Sequence, residues 1–190
     1  MRPRYRISIA QDWKGDPLPP ALHAVLALRL TPRALLVTID APYHGDPAPA
    51  SPPGSTPRLW EYEVVELFLA GPGPADAVPY TELELAPCGH YLVLQLVGAR
   101  RVVSEGLAVR TRCRIEGKRW RGLVRVPLRL LPPLPWRVNA FAIHGTGRSR
   151  RYLAAAPMPG PRPDFHQPHR FPDLSLGLPP PGPPTAQPGT

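Results

Sequence analysis

Apolar and polar residues alternate with period two in short runs along this chain. Those runs are separated by proline- and glycine-rich turns. A repeat of two places successive side chains on opposite faces of an extended strand. Around residues 5–10, Ile7 and Ile9 share one parity and Arg6 and Ser8 the other. Residues 23–30 and 34–41 are mostly apolar and flank Thr31-Pro32-Arg33, which predicts a hairpin. Prolines on both sides of residues 23–30 hold that run to strand length. Residues 42–57 form a long proline-rich loop carrying Tyr43, His44 and Asp46.

Residues 59–69, the Leu59-Trp60-Glu61-Tyr62-Glu63-Val64-Val65-Glu66-Leu67-Phe68-Leu69 stretch, read as a strand in which both parities turn apolar past Val64. Glu66 shares parity with Val64 and Phe68, pointing to an apolar layer. Glu61 and Glu63 fall on the other parity, where a solvated face is expected. A buried Glu66 needs a donor, and an arginine of the basic strands further on is the expected supplier.

Residues 80–86 and 91–97 make a second hairpin through Pro87-Cys88-Gly89-His90. Tyr80, Glu82 and Glu84 share one face. With Tyr91 and Gln95 they are expected to build a polar, aromatic surface. Residues 107–115 and 120–126 alternate arginine with apolar residues, placing Arg110, Arg112, Arg114, Arg119, Arg121 and Arg125 on outward faces. Residues 128–131 suit one helical turn, and residues 138–144 and 150–155 complete the strands. Short strands between turns, with no helix of ordinary length, predict an all-β antiparallel β-sandwich. One domain is expected over residues 1–178. The Pro-Pro-Pro-Gly-Pro-Pro run of residues 179–190 is expected to be a disordered tail.

Composition changes this picture in two ways. The 31 prolines among 190 residues cluster in the connections, so they mark loops in an ordered domain. The formal charge of +9 is unevenly spread: residues 100–151 hold 14 basic and 2 acidic side chains, whereas residues 1–99 hold 7 and 10. That asymmetry makes an anionic polymer, nucleic acid included, or an acidic protein a candidate partner through the six arginines named above. Against nucleic acid, the stripe lacks interleaved aromatics for base stacking. Cys88 and Cys113, the only cysteines, suggest neither a disulfide framework nor a metal motif. The first residues lack the apolar core of a signal peptide, and no apolar run approaches the roughly 20 residues needed to span a bilayer. The expected location is cytoplasmic, without membrane association.

The order of motifs resembles a known group. Trp60 followed by Tyr62-Glu63-Val64-Val65-Glu66-Leu67-Phe68 is similar to the D-x-V-E-x-F strand of family 9 carbohydrate-binding modules and DOMON-like domains. The Tyr80–Gly89 segment, Trp120-Arg121-Gly122 leading to Val126-Pro127, and Asn139-Ala140-Phe141-Ala142-Ile143-His144 resemble strands that follow it there. Pro163-Asp164-Phe165-His166 with Phe171 resembles the closing segment. Within this group the chain most resembles an uncharacterised family of small stand-alone proteins, over residues 24–176. The resemblance implies an immunoglobulin-like sandwich. The sugar-binding modules hold a sugar ring between two tryptophans. This chain has four, Trp13, Trp60, Trp120 and Trp136, and their spacing identifies no facing pair.

The reading that follows is a non-catalytic binding module for a small polar ligand, a carbohydrate by analogy. Its candidate residues are Trp60, Glu66, Tyr80, Glu82, Glu84, Tyr91, His144 and His166. Aromatics beside hydrogen-bonding side chains are what a polyol requires, but a wet sheet face gives the same pattern. A basic surface for an anionic polymer or protein is the alternative. Glycoside hydrolysis, which uses two carboxyls, ranks third, because nothing in the sequence sets their separation. No cofactor or metal is expected. Asp164-x-His166-x-x-His169 has no standard ligand spacing, and Met158 is the sole internal methionine available for a haem-type ligand pair.

Overall fold

The structure, a computed structural model, describes residues 4–174. The proline-rich tail expected from residue 179 onward lies outside the described residues. Twelve strands are found: β1 (Arg4–Ile9), β2 (Gln11–Asp12), β3 (Ala24–Leu30), β4 (Ala34–Pro42), β5 (Val64–Ala70), β6 (Pro79–Leu85), β7 (Tyr91–Val97), β8 (Arg101–Ser104), β9 (Arg110–Glu116), β10 (Arg119–Pro127), β11 (Arg137–His144) and β12 (Arg151–Ala154). Helical structure among them is confined to single 3-10 turns, one of which is the turn at Leu128–Leu130. Among the described residues, no helix is long and apolar enough to cross a membrane.

The strands form two sheets. One has the order β1-β3-β4-β10-β9, and the other β2-β12-β11-β5-β6-β7-β8. Paired strands run antiparallel throughout. The all-β antiparallel sandwich expected from the alternation is therefore the fold. Its first core lies between the sheets, where Leu26, Val37, Ile39, Trp120 and Val124 meet Val65, Leu67, Leu83, Leu85 and Val138. Burying side chains of this size is worth about 1.5–3 kcal/mol each. Gly122 sits at the tightest point: a Cβ there would lie 2.5 Å from Leu85 Cδ2 and 2.9 Å from Trp120 Cζ3.

A second apolar layer was not visible in the sequence. The outer face of the seven-stranded sheet is covered by the segment after β12, through Met158, Phe165 and Phe171. Phe165 stacks on Phe141 with ring centroids 3.9 Å apart, and Phe171 meets Phe68 edge-on at 5.9 Å. Every residue of β5 is consequently buried. This explains why both parities of that stretch read as apolar: β5 is the middle strand of its sheet and is covered on both faces.

The chain departs from the sequence reading at the start of that stretch. Leu59–Glu61 is a 3-10 turn, and β5 begins only at Val64. Arg58, just before the turn, has φ of +59°. The strand β8 and the two-residue β2 also had no clear signal.

Candidate functional site

The β5–β6 register places Glu66 directly opposite Glu84, and Glu82 opposite Phe68. All three carboxyls point to the outer face of the seven-stranded sheet, beneath the covering segment. One oxygen from each lies within 4.8 Å of the other two. Glu66 and Glu82 are 2% exposed and Glu84 is fully buried. Like charges directly across a strand pair destabilise it, and burial compounds the cost.

These carboxyls lack the donors a buried acid ordinarily has. Glu82 Oε2 and both Glu84 oxygens have no hydrogen-bond partner among the described residues outside the cluster, where the Glu82 and Glu84 carboxyls can share a proton. The arginine expected to pair with Glu66 is not there. The basic strands β9 and β10 belong to the other sheet, so their arginines lie across the sandwich. Two other cations come closer but are otherwise engaged. Arg150 donates to the carbonyls of Glu61, Gly145 and Trp60. Arg100 donates to Asp164 Oδ1 at 2.7 Å.

Titration behaviour follows from this geometry. Burial, then the Glu82 charge, pushes Glu66 well above the usual carboxylate range. Burial, then the charges of Glu66 and Glu82, does the same to Glu84. Glu82 is raised by burial to about 7. His166 is pushed down to about 4, by burial and then by the Arg100 charge. A neutral His166 accepts the Tyr80 hydroxyl at Nδ1, 2.9 Å away, and turns Nε2 toward Glu82 Oε2 at 4.0 Å. The phenol of Tyr80 is itself pushed up by burial.

A cavity of about 460 Å³ opens above this face. Glu66 and Glu82 line it from the sheet, with Leu94, Leu96 and Ile143. Phe165 and His166 line it from the covering segment, and Trp60, Tyr152 and Arg100 also border it. Trp60 is 40% exposed. It is held by its carbonyl, which accepts from Arg150, whose guanidinium also lies over the Tyr152 ring at 5.8 Å. A volume of this size is typical of small-ligand sites, and the mix of apolar wall and few polar groups is as well.

The structure thus brings together five of the residues named from sequence: Trp60, Glu66, Glu82 and His166 at the cavity, and Tyr80 in contact with His166. Glu84 lies beside them, beneath the surface. Tyr91 does not join them. Across the β6–β7 hairpin, Tyr80, Glu82 and Glu84 oppose Leu96, Leu94 and Leu92. Tyr91 pairs with inward-facing Leu85 and packs on the inter-sheet core, while Gln95 reaches the Leu130 carbonyl. The polar-aromatic surface expected from that hairpin is therefore half leucine.

His144 also lies elsewhere. Its ring stacks on His44 at 3.6 Å, and it is lowered to about 4 by burial and then by the His44 charge. Glu63, expected on a solvated face, is buried and accepts the backbone N–H groups of His44 at 2.9 Å and Asp46 at 3.2 Å. It fastens the proline-rich loop to the sheet and takes no part in the cavity. Arg100 and Tyr152 were missed. Arg100 offers one signal only in the structure: a left-handed backbone, φ of +64°, at a non-glycine residue.

The tryptophans can now be placed. Trp120 and Trp136 are buried in the inter-sheet core, and Trp13 packs at the edge of the second core. Trp60 alone borders the cavity, so the two-plate arrangement is absent among the described residues. The arginine stripe is outward as expected. Arg110, Arg112, Arg114, Arg121 and Arg125 are exposed, and Asp40 and Glu116 engage part of it.

Comparison with known proteins places the chain. No family model matches it. Its sequence is 36% identical over 178 residues to the zebrafish (Danio rerio) UPF0462 protein C4orf33 homolog, spanning 88% of this chain and 87% of that protein. The chain belongs to the UPF0462 family. The human UPF0462 protein C4orf33 is 37% identical over 168 residues, 83% of this chain and 81% of the human one. Among solved structures, this UPF0462 sandwich shares its fold with a putative carbohydrate-binding protein from Bacteroides uniformis, at a TM-score of 0.70 and 19% identity. That match covers 91% of this chain and 85% of the other.

Proposed function

We propose that the chain binds a small polyhydroxylated ligand, of the carbohydrate class, in the cavity over the seven-stranded sheet. One observation carries the reading. Buried carboxyl oxygens without protein donors lie beside an exposed tryptophan in a cavity of about 460 Å³. Hydroxyl groups supply the donor that Glu82 Oε2 lacks and reach Glu66 on the same wall, and the C–H face of a sugar ring packs on Trp60 or Tyr152. Arg100, on the rim, supplies donors for ring or hydroxyl oxygens. The shared fold with a putative carbohydrate-binding protein supports the reading by analogy.

The arrangement favours binding over hydrolysis. Glycosidases place two carboxyls on either side of the scissile bond, about 5–9.5 Å apart. Here the carboxyls stand on one sheet face, so a ligand meets them from the same side.

The test is calorimetric titration of the full chain with mono- and disaccharides, preceded by a glycan array. Saturable binding is expected, weakened tenfold or more by Trp60→Ala and untouched by Arg112→Ala. Absence of binding to any sugar at millimolar concentration overturns the reading. A second reading has its own observation: Arg125 lies directly opposite Arg110, and Arg121 opposite Arg114, on the outer face of the five-stranded sheet. Such like-charge pairs suit an anionic polymer. Salt-sensitive binding of heparin or single-stranded nucleic acid, lost in Arg110→Glu/Arg125→Glu, is its signature.

A further inference from the structure

We propose that Glu66, Glu82 and Glu84 form a binding site for a calcium ion that presents open coordination positions to the cavity. This rests on the polyol reading for what occupies those positions, but the ion site stands on its own geometry.

The first argument is an accounting of donors. Glu84 is fully buried, and both of its carboxyl oxygens lack a partner among the described residues other than the neighbouring Glu82 carboxyl. Tyr80 bonds His166, Arg150 bonds three backbone carbonyls and Arg100 bonds Asp164, while the Nε2–H of His166 points toward Glu82 Oε2 from 4.0 Å, beyond hydrogen-bond distance. Buried acceptors in native proteins are almost always satisfied, and each orphan calls for an explanation. Three acids turned toward one another are satisfied by a cation at their centre.

The second argument is chemical. The donor set is carboxylate oxygen alone, which selects hard cations over zinc or copper. Oxygens separated by up to 4.8 Å can be bridged by an ion whose bonds are about 2.3–2.6 Å long, as for calcium. Magnesium demands near-ideal octahedral geometry and gives up its water reluctantly, so a buried set of three carboxylates suits it less well. The carboxylates stand on the paired central strands β5 and β6. Calcium takes six to eight oxygens, so three glutamates leave positions free. Glu66 and Glu82 line the cavity whereas Glu84 lies beneath it, so the free positions face the cavity. Vicinal hydroxyls of a sugar are suitable ligands there.

The experiment uses the full chain stripped of metal with a chelator and titrated at pH 7.5 with calcium, magnesium and manganese chlorides. Calorimetry and thermal unfolding are the readouts. Calcium is expected to bind once per chain, at least tenfold more tightly than magnesium. It should raise Tm by about 5–10 °C when a hundredfold above its Kd. Glu84→Gln and Glu66→Gln should abolish both effects while unfolding cooperatively in chelator. No heat and no Tm shift up to about 10 mM calcium, above the range of weak calcium modules, overturns the ion site. So does an unchanged response in both variants. Repeating the sugar titration with calcium and with chelator separates the two readings. Sugar binding that is equal in chelator removes calcium and keeps the polyol site. Calcium binding with no sugar bound does the reverse.

Discussion

Replacing Glu84 by glutamine should make the metal-free protein more stable, although the residue is fully buried at the centre of a sheet. In the folded chain Glu84 either carries charge next to Glu66 and Glu82 or holds a proton that the unfolded chain would release. An unfolded glutamate titrates near 4.3, and each pH unit above that adds about 1.4 kcal/mol to the cost of keeping the proton. The ceiling is therefore about 1 kcal/mol at pH 5 and about 5 kcal/mol at pH 8. The sign is fixed by the raised affinity for protons in the folded state. Stability from this cluster is full below pH 4.3 and is lost as pH rises through the range toward the folded values, which for Glu82 is about 7. Glutamine is nearly isosteric and neutral, and its amide can donate to the neighbouring carboxylates. With two acids left to share the burden, a gain of about 2 kcal/mol at pH 8 is expected, or about 4–8 °C in Tm for a domain of this size. It should shrink to under about 1 kcal/mol at pH 5. Urea unfolding of both proteins at the two pH values, in chelator, measures it. A variant less stable than the parent at pH 8 would falsify the reasoning. So would a gain that does not change with pH, because it would show that the acids are paid no electrostatic penalty for their burial.

Three further outcomes follow from the packing and from His166. Phe165→Ala should cost about 3–5 kcal/mol in urea unfolding, since it removes the ring stacked on Phe141 and opens the cavity wall. Gly122→Ala should destabilise by about 1–3 kcal/mol, because the added Cβ would meet Leu85 and Trp120 inside the first core; a neutral result would mean the sheets can move apart there. His166 has a folded pKa of about 4, below its unfolded value near 6.5, so its contribution is full above pH 6.5 and lost as pH falls toward 4. Against the parent, His166→Gln should therefore improve in relative stability by about 2–3 kcal/mol between pH 6.5 and 4.5, as read by unfolding at each pH.

Much of the fold was legible because it rests on local alternation. The parity of Tyr80, Glu82 and Glu84 depends only on the backbone of one strand, as does the outward set of arginines on β9 and β10. The hairpins were fixed by turn residues and short connections. These features cost nothing to read, because a strand dictates its own two faces whatever it packs against. The motif order from Trp60 to Phe171 likewise carried the family.

What the sequence could not supply is everything that depends on a partner far along the chain. Which face of the β6–β7 hairpin holds Tyr91 is settled by register, since a shift of one residue moves a whole strand's side chains to the other face. Glu63 looks like a surface acid until the 42–57 loop folds back to give it two backbone donors. Glu66 and Glu84 are 18 positions apart and become neighbours only through the β5–β6 pairing. Their isolation from arginine was decided by topology, which assigned the basic strands to the opposite sheet. The cavity itself exists because residues after β12 return to cover a sheet face, and no local pattern in β5 or in Pro163–His166 states that contact. Local sequence set which side chains each strand could offer. Tertiary pairing decided that three of those offered would be carboxyls facing one another, with Arg100 and Arg150 near enough to be felt but bonded elsewhere.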